Sequence, residues 1–176
     1  MGPVSIFIII FLCFIFFTKL NKYDTKSEPV NYLMRSLRHG DLMHIAANLL
    51  SFYNLSFIEN VMGSKKFFVA IVFLWILSSM LLYGYHTIFP SRKVYTVGFS
   101  AVIFGLIVIY YSLLNKGMGF TLGSLAISIL PQLVVPGISW EGHICGVIAG
   151  VIYCLLFPVK VPRRLADRSN LPQIKI

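Results

Sequence analysis

The chain has 176 residues, 57% of them hydrophobic and 12% charged, with a mean hydropathy of +0.82 and a net charge of +9. That composition excludes an ordinary soluble domain and describes an integral membrane protein in contact with the lipid bilayer. The basic excess does not read as a nucleic-acid surface, because lysine and arginine lie in short loops and a C-terminal tail, where anchoring and topology place them.

A helix crossing a hydrocarbon core of ~30 Å needs about 20 apolar residues. Apolar runs at 3–18, 42–59, 67–89, 97–115, 119–136 and 141–158 predict an all-α bundle of six transmembrane helices that fills residues 1–158, followed by a short basic tail at 159–176. The first run, Val4 to Phe17, lacks a basic leader and a small-residue cleavage site, so it is expected to stay as a span. Thr18 to Asp41 reads as a long polar connection. Gly63 with Lys65-Lys66, then Pro90 to Lys93, Asn115-Lys116-Gly117 and Pro136-Gly137 punctuate the later spans. Gly123, Pro131 and Pro136 weaken the fifth. The three cysteines, Cys13, Cys145 and Cys154, fall inside apolar segments without paired loop spacing, which argues against a disulfide framework or a metal site.

Six crossings put both termini on one side with Lys65, Lys66, Lys116 and the tail residues Lys160, Arg163, Arg164, Arg168 and Lys175. The opposite side holds Lys19, Lys22, Lys26, Arg35, Arg38, Arg92 and Lys93. Eight against seven favours cytosolic termini by a narrow margin. Connectivity says more. The starts of spans 2, 4 and 6 lie on one side, and the unusual polar residues sit there: His44 and Asn48, Ser100, and His143. A transport path would spread polar groups through the membrane thickness and commonly shows internal repeats; here they form one site at one depth.

Serine is a poor nucleophile until a base takes its proton, and histidine has the ordinary pKa for that task. Ser100 and His143 therefore read as a dyad. Glu141, two residues before His143, lies off the same helical face and does not complete a triad. His44 and Asn48, spaced i,i+4, could donate to an oxyanion together with the backbone N–H of Ser100 at a helix start. Gly142, Gly146 and Gly150 form a small-residue strip beside His143, while Ala101 and Gly105 follow Ser100; such faces let spans 4 and 6 approach closely.

Each signal alone has a plainer reading. A membrane serine commonly bonds its own backbone, histidine can simply pack or cap, and a GxxxG strip can serve packing alone. Their convergence on one leaflet favours chemistry. Asn54-Leu55-Ser56 matches a glycosylation sequon but lies inside span 2, and His39 and His86 read as interfacial histidines.

Four ordered pieces, His39-Gly40-Asp41-Leu42-Met43-His44-Ile45-Ala46-Ala47-Asn48, Glu59-Asn60-Val61-Met62-Gly63-Ser64, Gly98-Phe99-Ser100-Ala101 and Gly142-His143-Ile144-Cys145-Gly146 with Gly150, resemble the rhomboid intramembrane serine proteases over roughly residues 30–158. The Val97-Gly98-Phe99-Ser100 wording is most similar to the animal rhomboid-related protein 4 type. The resemblance implies cleavage of single-pass membrane proteins in or beside their span, without metal or organic cofactor, in the secretory pathway (ER or Golgi) or the plasma membrane. It implies Ser100 as nucleophile and His143 as base then acid. His44, Asn48 and the N–H groups of Phe99 and Ser100 would hold the oxyanion, and Gly98 would permit a tight turn before the nucleophile. Ala101 stands where the family often has glycine, and no Trp-Arg pair appears between Thr18 and Asp41. A non-proteolytic adaptor that binds transmembrane clients is the alternative. Substrate identity and oligomeric state are not legible in the sequence.

Overall fold

A computed structural model of the chain describes residues 1–90, 95–134 and 139–158. The expectations for Arg92, Lys93, Pro136 and the tail from 159 onward fall outside those residues. The described residues form α1 (Pro3–Phe17), α2 (Glu28–Arg35), α3 (Leu42–Leu55), α4 (Phe57–Met62), α5 (Ser64–Ile88), α6 (Ser100–Leu113), α7 (Met118–Ile129) and α8 (Trp140–Leu156). They make an all-α bundle.

Three elements differ from the apolar-run reading. The connection after α1 is ordered, with a 3-10 turn at Lys19–Asn21 and the short α2, whose Pro29 lies in its first turn where a missing N–H is harmless. The second run is two helices. Its first part closes at Ser56, whose N–H donates to the Tyr53 carbonyl, and α4 then ends at Gly63, where φ is +81°. The fifth run is helical only to Ile129 and tightens into a 3-10 segment, Leu130–Val134, that contains Pro131. Proline removes the N–H donor that an α-helical turn would need there.

α5 alone among the described helices has both the length and the apolar composition to cross a bilayer on those two criteria. The segments Pro3–Phe17, Ser100–Leu113, Met118–Leu133 and Trp140–Leu156 are shorter and apolar. Their surfaces are those of a lipid-facing protein. α1 exposes Ile6, Phe7, Ile10, Phe14 and Phe17, and α7 with its extension exposes Phe120, Leu122, Ile127, Leu130 and Leu133.

The core lies between α1, α3, α4, α5, α6 and α8, where Leu12, Ile15, Phe52, Ile58, Phe67, Leu74, Leu106, Ile109 and Tyr153 are buried. α6 and α8 run parallel and touch through backbone. A Cβ on Gly146 would fall 2.0 Å from the Ala101 carbonyl oxygen, and one on Gly150 would fall 2.8 Å from the Gly105 oxygen. Gly105 is closed in by Leu74 and the Gly146 oxygen. Gly142 departs from the expected strip: the atoms nearest its Cβ position are Ser139 Oγ and Leu82 on α5. The register explains this, because α6 begins at Ser100 and has no turn left to meet the helix one turn before Gly146.

Candidate active site

Ser100 is the first residue of α6, after Phe99 at the cap position. The first intrahelical bond of α6 runs from Ile103 N–H to the Phe99 carbonyl, so the amides of the opening turn, Ser100 included, have no intrahelical acceptor. Phe99 is buried edge-on against Phe52, and this contact anchors the turn to α3. Gly98 has φ +122°, a region open to glycine, and its N–H donates to the Arg35 carbonyl at 3.1 Å.

α8 is capped by Ser139, whose hydroxyl accepts from the Gly142 N–H at 3.2 Å. That cap places His143 in the first turn. Its Nε2 lies 2.8 Å from Ser100 Oγ, so the parallel packing of α6 and α8 brings two residues 43 positions apart into hydrogen-bond contact. Phe104, one turn beyond Ser100, stacks on the imidazole with centroids 4.4 Å apart and planes at 20°. The other ring nitrogen, Nδ1, is in a close hydrogen bond with Gln132 Oε1.

Asp41 caps α3, its carboxylate accepting from the His44 N–H at 2.8 Å. His44 then faces the turn before Ser100: a Cβ on Gly98 would be 2.7 Å from His44 Nε2 and 3.8 Å from Ser100 Oγ. Asn48 follows one turn later and is buried. Its Nδ2 donates to the His44 carbonyl at 2.9 Å, which leaves one amide proton, while Oδ1 has no partner among the described residues. Ser100, His143, His44, Asn48, Gly98 and Gln132 all line one cavity of about 700 Å³. Ala101 also lines it, and Gly105, Gly146 and Gly150 lie below in the packing of α6 on α8. Among the described residues no group of three or more His, Cys, Asp or Glu side chains could hold a metal ion.

The segment after α1 braces this end. Asp24 pairs with Arg35 and accepts from Arg38 Nη1 at 2.6 Å, and the Arg35 guanidinium holds the Asp24 carboxyl below its ordinary range. Arg35 also lies over the Tyr95 ring at 4.6 Å. Asn21 grips His39 through both its backbone groups, and Trp75 Nε1 on α5 donates to the Leu33 carbonyl at 2.9 Å. These contacts occupy the stretch in which no Trp-Arg pair was found.

Two neighbours of His143, Phe104 and Gln132, do not stand out in the sequence as polar residues opening an apolar run. Phe104 stands at i+4 from Ser100 and was legible from that spacing. Gln132 continues a polar series, Ser124 and Ser128, at steps of four on the fifth apolar run, a spacing that sets the three on one helical face.

The Rhomboid domain profile matches residues 26–159. The chain is 56% identical over 159 residues to a protein of Acanthamoeba polyphaga mimivirus that bears a provisional rhomboid name, covering 90% of this chain and 93% of that one. This chain belongs to the rhomboid family. It is also 27% identical over 156 residues to an uncharacterized protein of Mycobacterium tuberculosis, spanning 78% of this chain and 65% of that protein. A third similarity is to Rhomboid-like protein 15 of Arabidopsis thaliana, 28% over 134 residues, covering 65% of this rhomboid and 33% of that protein.

Proposed function

We propose that this rhomboid is an intramembrane serine endopeptidase that cleaves single-pass membrane proteins in or near their span, with Ser100 as nucleophile and His143 as base. The observation that carries the reading is the 2.8 Å contact between His143 Nε2 and Ser100 Oγ at the edge of a large cavity. The substrate helix enters from lipid between α3 and α7, unwinds locally, and presents its scissile carbonyl. Ser100 Oγ attacks as His143 Nε2 takes the hydroxyl proton. The oxyanion meets His44, the remaining amide proton of Asn48 and the N–H groups of Phe99 and Ser100. Collapse returns the proton from His143 to the leaving amine, and a water activated by the same nitrogen releases the acyl group.

Six crossings with cytosolic termini and an active site opening to the lumen or exterior belong to this reading, in a secretory-pathway or plasma membrane. The apolar exposed faces of α1 and α7 support it. So does the family's wording at Val97-Gly98-Phe99-Ser100, on which the likeness to the rhomboid-related protein 4 type rests. Co-expression with a panel of single-pass proteins tests the activity: wild type yields cleaved products and Ser100→Ala does not. Client binding without cleavage, unchanged by Ser100→Ala, would instead identify an adaptor.

A further inference from the structure

Proton transfer from Ser100 uses one nitrogen of His143, and the other has its own partner. Nδ1 meets Gln132 Oε1, and Gln132 Nε2 donates to the Ser128 carbonyl at 2.9 Å. With its nitrogen so engaged, the amide turns its oxygen to the ring, and a carbonyl oxygen can only accept. Nδ1 must then carry the imidazole proton. Nε2 is left with its lone pair, and that lone pair faces Ser100 Oγ. The opposite tautomer would put a proton on Nε2 and leave nothing to accept from the hydroxyl.

We infer that Gln132 is a positioning residue that holds His143 in the tautomer able to act as base, so that the seating of the 3-10 segment Leu130–Val134 controls the competence of the dyad. The inference deepens the protease reading and rests on it for its kinetic consequence only. The segment is well suited to this. One turn earlier, Leu125 and Ile129 pack against Val108 of α6 and Val147 of α8, whereas Leu130 and Leu133 face outward. Gln132 is the polar reach of an otherwise apolar seam. Phe104 fixes the plane of the ring but carries no acceptor, so it cannot choose between tautomers. When the segment swings aside, the ring keeps its stacking and loses the bond that specifies its proton.

The test is ¹⁵N spectroscopy of the imidazoles in detergent-solubilised full-length protein. The chain has four histidines, and the His143 signals are assigned by their loss in His143→Gln. In wild type, Nδ1 should carry the proton and Nε2 should not. Gln132→Leu should shift His143 towards the Nε2–H form, and Gln132→Glu, which keeps an acceptor, should preserve the wild-type pattern. In cleavage assays Gln132→Leu should lower kcat by about 100-fold with little change in KM, and Gln132→Glu should recover most of the loss. A merely structural residue would reduce folded yield and leave the tautomer of the folded fraction untouched. An Nε2–H tautomer in wild type, or an unchanged pattern in Gln132→Leu, overturns the inference; if that variant fails to fold, Gln132→Met carries the same comparison. Cleavage that survives Ser100→Ala would remove the protease reading, and the tautomer would still decide the role of Gln132.

Discussion

Ser100 and His143 were legible because each is a polar residue opening an apolar run, a placement that membrane energetics disfavour without a partner. Their partnership depended on helix register, which residue type does not encode. Gly98 shows the same limit. Its glycine was readable as a turn, but the reason for it is His44: a side chain there would collide with Nε2 in addition to straining φ. Gly98→Ala is therefore expected to displace His44 and lower kcat by about 100-fold, the scale of losing one oxyanion donor. Ser100-dependent fluorophosphonate labelling should fall with it. His39, read as interfacial, is buried, has no hydrogen-bond partner for either ring nitrogen among the described residues, and lies edge-on to His44. Burial, with His44 adding repulsion, lowers its pKa from 6.5 to about 4. The folded form thus resists a proton that the unfolded chain accepts, so this contribution to stability is complete above pH 6.5 and is lost as pH falls towards 4. Thermal melts should show Tm declining across that window, with a shallower slope in His39→Gln.

At the scale of elements, long apolar runs announced themselves and short or broken helices did not. α2 has eight residues in a polar stretch and is held by long-range contacts such as Trp75 to Leu33, which no local pattern encodes. The division of the second run at Ser56 was likewise invisible, because both halves are apolar. Of the evenly spaced glycines of α8, Gly146 and Gly150 meet the α6 backbone, while Gly142 shares their spacing in sequence and not their contact in space. Gly146→Ala tests the contact. The added methyl has no room beside the Ala101 carbonyl, and overpacking of this kind costs about 3 kcal/mol. Unfolding in mixed micelles should show that loss, whereas Gly142→Ala should be far milder.

The whole molecule is closed at the opposite end from the dyad by one carboxylate. Glu59 on α4 is buried and accepts from the Val4 and Ser5 amides, the Ser5 hydroxyl and the Ser64 hydroxyl, tying the first turns of α1 and α5 together. A Cβ on Gly2 would strike that carboxylate. Glu59→Ala strands several donors at once and should cost about 3 kcal/mol or more, with α1 becoming the first segment cut in limited proteolysis. In sequence Glu59 is one polar residue of a short motif, and its partners Val4 and Ser5 lie more than fifty residues away, so only the fold shows its task. Topology is testable at the same scale. With six crossings, Lys116→Cys and Lys26→Cys should react with impermeant thiol reagents from opposite faces of sealed vesicles.

The backbone contact between α6 and α8 sets more than stability. Ser100 and His143 hang from the first turns of two parallel rods whose relative height is fixed where Gly146 meets Ala101 and Gly150 meets Gly105. Sliding one rod by a single residue, about 1.5 Å, would break the bond between Ser100 and His143. Misplacements of about 1 Å can already cost 100-fold in rate. The glycine register thus sets the height at which Ser100 and His143 meet. In the proposed reaction, drift at these positions slows turnover as well as weakening the fold.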